Sequence, residues 1–414
     1  MINIIDVFAG AGGLSEGFRQ EQFNVLLHVE MNHDATLTLK TREAFYYLRS
    51  QGKLNSYANY LNGTISRDQL YNMIPEELFS KVLNVEINED TIDTIFNRID
   101  SNLNKKKLHG IIGGPPCQAF SMIGRVVNES KKPEDKRIYL YEYYVKFLQK
   151  YQPEFFVFEN VKGLLSFKND KDELLLPIIL KAFSDQGYSV SNDIVNSSEY
   201  GVPQNRERLF VFGYRKDLNY DDFFKSLSTR KEVPIKIKDL FSDLPSMKPG
   251  ESKNEYIINT KSDYLRSKIR KYLDFPLTAN ISRTHNDRDL KIYKLVLESK
   301  KKGKQLRYDE LPNTLKTHKN TTAFIDRFKA LDENGYSHTI VAHIAKDGHY
   351  YIHPDLEQNR SITVREAARI QTFADDYYFE GSRSANFVQI GNAVPPVLSE
   401  KIAATILDVK EAAK

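Results

Sequence analysis

The sequence predicts an α/β fold: a doubly wound, mostly parallel sheet with a second, smaller domain set into it. Three observations predict it. Short apolar runs alternate with helix-like stretches through the first half, the pattern of βαβ units. These runs are nearly continuous rather than alternating, as expected of parallel strands covered on both faces. From about Leu218 aromatics, lysines and serines mix without clear period, and order returns only at "SITVREAARIQTF".

Taken in order, "INIIDVF" is apolar at Ile2, Ile4, Ile5, Val7 and Phe8 and reads as the first strand, followed by a glycine turn and a helix beginning at "LSEGFRQ". "NVLLHVE" is a second strand ending at Glu30; "GIIGG", "FFVFEN" and "LFVFG" are later ones. Between "GIIGG" and "FFVFEN", Leu140, Tyr144, Phe147, Leu148 and Tyr151 recur at helical spacing. The stretch from Thr41 to His109 reads as a mostly helical insertion. In the smaller domain, expected over 219–357, the first strand signal is "HTIVAHIA". Residues 1–218 and 358–414 form the larger domain. Thr363 and Glu366 have the spacing of a capping box, with Val364, Ala367 and Ala368 on one face of the helix that follows.

Composition narrows the class. With one cysteine in 414 residues no intramolecular disulfide can form, which fits a reducing compartment. No apolar run reaches membrane-span length, and "MINIIDVFAG" lacks the pattern of a signal peptide, so a soluble, cytoplasmic protein is expected. A net charge of +4 permits nucleic-acid binding without arguing for it. Basic runs at "NLNKKKLHG", "NESKKPEDKR", "LRSKIRKYL" and "LESKKKGKQLRY" read equally as solvated surface.

The lone thiol, Cys117, follows Pro115 and Pro116, which break helix and strand alike. It therefore stands on a turn at the carboxyl end of a strand, the edge where open α/β sheets bind ligands. A buried small hydrophobe is the competing reading. In "DVFAGAGGLSEGF", Gly10, Gly12 and Gly13 allow close backbone approach to a ligand, and Glu30 is placed to hold a ribose diol. Ser15 stands where a dinucleotide fingerprint has its third glycine, which favours a ribose-bearing cofactor without a pyrophosphate, such as S-adenosylmethionine, over a nicotinamide cofactor. Glu159 ends a buried strand, where facing a site would make it a proton donor and capping "VKGLLS" is the alternative. Alternation along a strand lets Arg206 and Arg208 aim at one point. His338, His343, His349 and His353 have no accompanying ligand pattern, so no metal site is expected and the rings are expected to pack or touch phosphate.

A thiol, a carboxylic acid, arginine donors and a methyl-donor pocket at one sheet edge suit an electron-poor pyrimidine. Cytosine C5 is too weak a nucleophile to take a methyl group, but a thiolate adding to C6 makes C5 enamine-like. In this light the sequence closely resembles the cytosine-C5 DNA methyltransferases. "DVFAGAGGLSEGF", "GGPPCQAFS", "ENV", "QNRER" and "GNAVPP" stand in the family's order, and "TIVAHIAKDGHYYIHPD" and "SITVREAARIQTF" resemble its later segments.

The resemblance implies a Rossmann-like methyltransferase fold with an inserted target-recognition domain over 219–357. It implies Cys117 as nucleophile at C6, Glu159 on N3, and Arg208 with Arg206 on O2 and the acid. For S-adenosylmethionine, and its product S-adenosylhomocysteine, it implies Phe8 stacked on the adenine and Glu30 on the ribose. Ala9, Gly10, Gly12, Gly13, Leu14, Met31, Pro116, Leu140, Asn392 and Val394 would line the same pocket. The family's aspartate–isoleucine pair that reads the adenine amine has its nearest counterpart in Glu86 and Ile87. Gln118, Ser121 and Arg137 would contact DNA from a mobile loop over 118–139, and the target base would be flipped out of the duplex. Double-stranded DNA is the implied partner of a monomeric prokaryotic modification enzyme, associated with the nucleoid and acting alongside a separate restriction endonuclease. A tRNA cytosine methyltransferase or a catalytically silent DNA-binding homologue are the alternatives.

Overall fold

The computed structural model describes residues 1–116, 120, 136–257, 260–317 and 325–412. Strands β1 (Ile2–Val7), β2 (Phe23–Glu30), β3 (Val82–Asn84), β4 (Gly110–Gly113), β5 (Phe155–Val161), β6 (Tyr188–Asn196) and β8 (Glu207–Arg215) form one seven-stranded sheet in the order β3-β2-β1-β4-β5-β8-β6. β7 (Gln204–Asn205) pairs in parallel with β9 (Ser337–His338) in a separate small sheet. The strands from β3 to β5 run parallel, whereas β8 is antiparallel to both β5 and β6. The expectation of a mostly parallel sheet thus holds, with an antiparallel end that the apolar runs do not reveal.

Alternation along the strands divides the core. Ile5, Val7, Leu27, Val29, Ile111, Phe156, Phe158, Leu209 and Val211 share one cluster with helices Ile92–Leu103, Leu140–Tyr151 and Leu175–Asp185. Ile4, Val25, Ile112, Phe155, Val157, Phe210 and Phe212 pack in another with helices Phe223–Ser228 and Pro396–Ala412. Side chains of successive strand residues point to opposite faces, so runs apolar at nearly every position bury both. The helix Leu140–Tyr151 follows its expected face: Tyr144, Phe147 and Leu148 are buried, and the Tyr144 hydroxyl lies 3.1 Å and 3.0 Å from the carbonyls of Ile111 and Val157.

The insertion is mostly helical as expected, with the edge strand β3 inside it. "HTIVAHIA" is not a strand beyond His338; it turns into a 3-10 helix over Ala342–Ala345. The Thr363–Glu366 capping box is present in full, and Val364, Ala367 and Ala368 are buried. Two further clusters occupy the second half. One joins Ile237, Leu240, Leu265 and Ile340 to Ala367, Phe373, Phe387 and Ala393; the other gathers Ile292, Tyr293, Val296, Tyr308, Phe328 and Ile352 about the helix Asp287–Lys301. Within the first of these, Arg369, fully buried, donates to Asp243 and Asp375 at 2.6 Å each. Buried charges of this kind are tolerated when every donor finds an acceptor. No helix among the described residues is long and apolar enough to cross a membrane.

Candidate active site

The carboxyl ends of β1, β2, β4 and β5 bring the motif residues together. Val7 of β1 pairs with Gly113 of β4, and Gly113 with Phe158 of β5, so the chain leaves β4 between the neighbouring strand ends. Glycine is required at both exit positions. A Cβ on Gly113, whose φ is +133°, would lie 1.9 Å from the Val7 carbonyl oxygen, and one on Gly114 1.9 Å from that of Glu159. Buried Asn160 donates to the Pro115 carbonyl at 3.4 Å. The turn is thereby seated with Pro116 beside the end of β5. Cys117, Gln118 and Ser121 lie outside the described residues. Of their flanks, Phe120 is buried edge-on against Phe167 at 5.0 Å, and Lys136–Tyr139 form a 3-10 turn containing Arg137. Gly114→Ala is expected to cost about 1–3 kcal/mol in stability through backbone overpacking and to reduce turnover out of proportion. Thermal unfolding and initial rates on one preparation measure both.

At the end of β5, Glu159 meets Arg208 of β8, Oε1 to Nε, at 3.2 Å. Antiparallel pairing sets Val161 opposite Arg208 and so brings the guanidinium back to the carboxyl two residues earlier. Burial pushes the Glu159 carboxyl up from its ordinary range, with Arg208 and then Arg206 pulling it down less strongly. The alternative reading as a helix cap is not its role, since the 3-10 turn Lys162–Ser166 is entered from Val161 without a side-chain cap. Arg206 differs from expectation. Its guanidinium is buried and donates to the carbonyls of Ile340 at 2.7 Å and Gly391 at 3.2 Å, while Arg208 forms the ion pair with Glu159. The strand breaks at Arg206, between β7 and β8, so alternation does not carry across it, and the Arg206 guanidinium is held by these carbonyls while its charge still acts on Glu159 more weakly than that of Arg208.

The glycine turn lies next door. Phe8 adopts a left-handed φ of 58° just after β1 and is half-buried, Ala9 donates to the Val29 carbonyl at 3.0 Å, and Gly10 at φ 55° has open space where a Cβ would stand. Glu30, at the end of β2, accepts from the backbone N–H of Gly10 at 2.8 Å and of Asn32 at 2.7 Å. Its carboxyl is raised by burial and lowered by those two N–H groups, with the Asp6 charge adding to the rise. A carboxylate has about four lone-pair sites, so the backbone N–H groups do not exhaust its capacity to accept from a diol.

Gly13 backs onto the closing motif: a Cβ there would meet the Val394 carbonyl oxygen at 2.3 Å. Val394 is buried and Asn392 exposed. Leu14 packs its side chain in the core with Phe18 and Val397 and its carbonyl accepts from the Ser399 hydroxyl, so it borders the turn through its backbone. Gly12 is likewise enclosed, 2.7 Å from Leu39 and 3.1 Å from the Tyr377 hydroxyl at its Cβ position. Met31 and Glu86 are exposed, Ile87 is buried in the first core, and Val85 donates to the Glu30 carbonyl at 3.0 Å, which holds Glu86 close beyond β2. Leu140 opens its helix half-buried.

Three of the four histidines pack, and His343 is exposed. His349 Nδ1 lies 2.7 Å from the Tyr293 hydroxyl, His353 stacks on Phe241, His338 stacks on Tyr351, and His343 stands in the 3-10 turn. A groove of about 830 Å³ lined by Glu232–Ile235 and Thr260–Ser262 holds none of the motif residues and lacks a thiol or a paired acid and guanidinium. Two buried residues escaped the motif reading: Gln204, which opens "QNRER", and Gln371 in "ARIQTF". Their polarity inside apolar surroundings was the available signal.

Comparison with known proteins agrees with this geometry. The family model described as C-5 cytosine-specific DNA methylase matches residues 71–408. The type II methyltransferase M.Bpa9945I of Bacillus paralicheniformis is 39% identical over 441 aligned positions, covering 98% of both chains. The type II methyltransferase M.DdeI of Desulfomicrobium norvegicum is 28% identical over 98% of this chain and 88% of its own. Among solved structures, a protein described as a DNA modification methyltransferase encoded within an E. coli prophage superposes with a TM-score of 0.64 at 24% identity, covering 99% of this chain and 100% of its own. Likeness at that identity shows the fold alone; the family rests on the match over most of the length and on the relative from B. paralicheniformis. The chain belongs to the C-5 cytosine-specific DNA methylases.

Proposed function

We propose that this protein transfers the methyl group of S-adenosylmethionine to C5 of a cytosine flipped out of double-stranded DNA. The observation that carries the reading is the Glu159–Arg208 pair beside the Gly113–Pro116 turn, one residue before the only thiol. When bound, the cofactor supplies an electrophilic methyl group on a sulfonium. Glu30 holds the ribose, Phe8 stacks on the adenine, and Glu86 with Ile87 reads its amine. Ala9, Gly10, Gly12, Gly13, Leu14 and Met31 serve as the surrounding wall, the enclosed ones through their backbone, with Pro116, Leu140, Asn392 and Val394.

Cys117 as thiolate adds to C6, Glu159 in its acid form gives its proton to N3, and Arg208 orients that acid and donates to O2. C5 then takes the methyl group as its bond to the sulfonium breaks, which leaves S-adenosylhomocysteine; the C5 proton passes to water, the N3 proton returns to Glu159, and the C6–S bond breaks to restore the ring and the thiolate. Gln118, Ser121 and Arg137 approach the DNA. The recognition region is best begun after helix Phe223–Ser228, since Phe223 and Leu227 pack in the core beneath the main sheet. Its exposed lysines Lys301, Lys302 and Lys304 suit phosphate contact. The relatives' names, type II methyltransferases of bacteria, support a modification enzyme acting on bacterial DNA; that it works as a monomer opposite a separate endonuclease belongs to the same proposal.

Glu30→Gln is expected to weaken S-adenosylhomocysteine binding about tenfold, the loss of roughly one charge-assisted hydrogen bond, as read by calorimetry. The reading as a whole is tested by offering labelled S-adenosylmethionine with mixed-sequence duplex DNA and, separately, bulk tRNA. Label at cytosine C5 of the duplex supports it; label in tRNA alone, or none in either with cofactor bound, overturns it.

A further inference from the structure

Behind the reacting edge, three side chains form a polar clasp. Gln371 has no exposed surface; its Nε2 donates to the carbonyls of Ile390 at 2.6 Å and Ala393 at 3.2 Å, which bracket Gly391 and Asn392. Its Oε1 accepts from Gln204 Nε2 at 2.8 Å, and Gln204 Oε1 accepts from the Ile340 N–H at 2.7 Å. Arg206 completes the set by donating to Ile340 and Gly391. Three segments are thus fixed to one another: the entry to β8, which carries Arg208; the turn carrying Asn392 and Val394, against which Gly13 rests; and the stretch 337–340.

We propose that Gln371 is a positioning residue for methyl transfer, setting the distance between the cofactor wall at 390–394 and the Glu159–Arg208 pair. The inference rests on the methyltransferase reading above. Only a primary amide supplies what the place demands, two donors toward carbonyls and one acceptor toward Gln204. A carboxylate would face two carbonyl oxygens, and an apolar side chain would leave Gln204 and both carbonyls without this partner. Gln371 is fully buried and its polar positions are all engaged, so it acts through its neighbours. Misplacement of reacting groups by about 1 Å can cost on the order of 10²-fold in rate, without comparable loss of ground-state binding.

The test uses Gln371→Met and Gln371→Glu of the full chain, with wild type alongside, in single-turnover methyl transfer to mixed-sequence duplex DNA. Rates are corrected for the folded fraction by near-ultraviolet circular dichroism. Both variants are expected to lose about 10–100-fold in rate constant at neutral pH, with S-adenosylhomocysteine and DNA affinities within about threefold of wild type. Relative to wild type at each pH, Gln371→Glu should recover on acidification, because a protonated carboxyl donates again, whereas Gln371→Met should not. A rate constant within threefold of wild type, or a loss matched by cofactor release with no recovery in the glutamate variant, overturns the proposal. Should Gln371→Met not fold, Gln204→Met, which removes one bond of the clasp, is expected to lose about tenfold in rate constant with the affinities kept; an unchanged rate constant overturns the proposal equally. Wild type inactive on DNA would instead count against the methyltransferase reading.

Discussion

Cys117→Ala is expected to reduce methyl transfer to DNA by about 10⁴-fold or more while S-adenosylhomocysteine still binds, since removal of a covalent nucleophile takes away the route itself. No second cysteine exists to substitute for it. The cofactor residues Glu30 and Gly10 belong to β1, β2 and their turn, which the substitution leaves in place. A duplex in which 5-fluorocytosine replaces cytosine makes the measurement sharper. Fluorine at C5 cannot leave as a proton does, so the wild-type enzyme should remain attached to the strand after methylation, as a complex stable to denaturing electrophoresis. Persistence of that complex in Cys117→Ala would remove the thiol from the mechanism.

Glu159→Gln is expected to lower turnover about 10²–10⁴-fold, the usual contribution of a positioned proton donor. The pH profile gives the sign of its role. Burial raises the Glu159 carboxyl, so more of it stays in the acid form as pH rises from the ordinary carboxylate range. Activity that needs this acid is present below the raised pKa and is lost as pH climbs through it. Arg208 is the stronger of the two charges pulling that pKa down. Arg208→Met should therefore move the falling limb toward higher pH while reducing the rate, and Glu159→Gln should abolish the limb. A limb unmoved by either substitution would belong to another group. Initial rates from acid to alkaline pH at saturating cofactor distinguish the cases.

Much of the fold was legible because parallel strands buried on both faces leave almost unbroken apolar runs, as in "INIIDVF" and "FFVFEN". β6 was not, since Tyr188–Asn196 is an edge strand whose middle is exposed and polar, and its ladder comes from β8 alone. The antiparallel sense of β8 was equally hidden. Direction depends on how the chain between Asn196 and Glu207 turns, through Ser197–Glu199 and the small β7–β9 sheet, and residue pattern within a strand carries no sense of direction.

The sequence alone determined the kind of chemistry. One thiol after two prolines, a carboxylate ending an apolar strand, an arginine at the start of another and glycines before Glu30 are local facts, and local steric rules put them at strand ends. Tertiary structure decided which of them meet. Arg208 reaches Glu159 because antiparallel pairing folds β8 back on β5; Arg206 is drawn to Ile340 and Gly391 because the strand breaks beneath it; Leu14 enters the core because its turn leads directly into a helix packed on Pro396–Ala412. Gln371 acquires its partners only from segments far apart in the chain, Gln204 on one side and the 390–393 turn on the other. A buried amide bonds to whatever carbonyls packing brings within about 3 Å, and that proximity is a property of the folded chain rather than of sequence spacing.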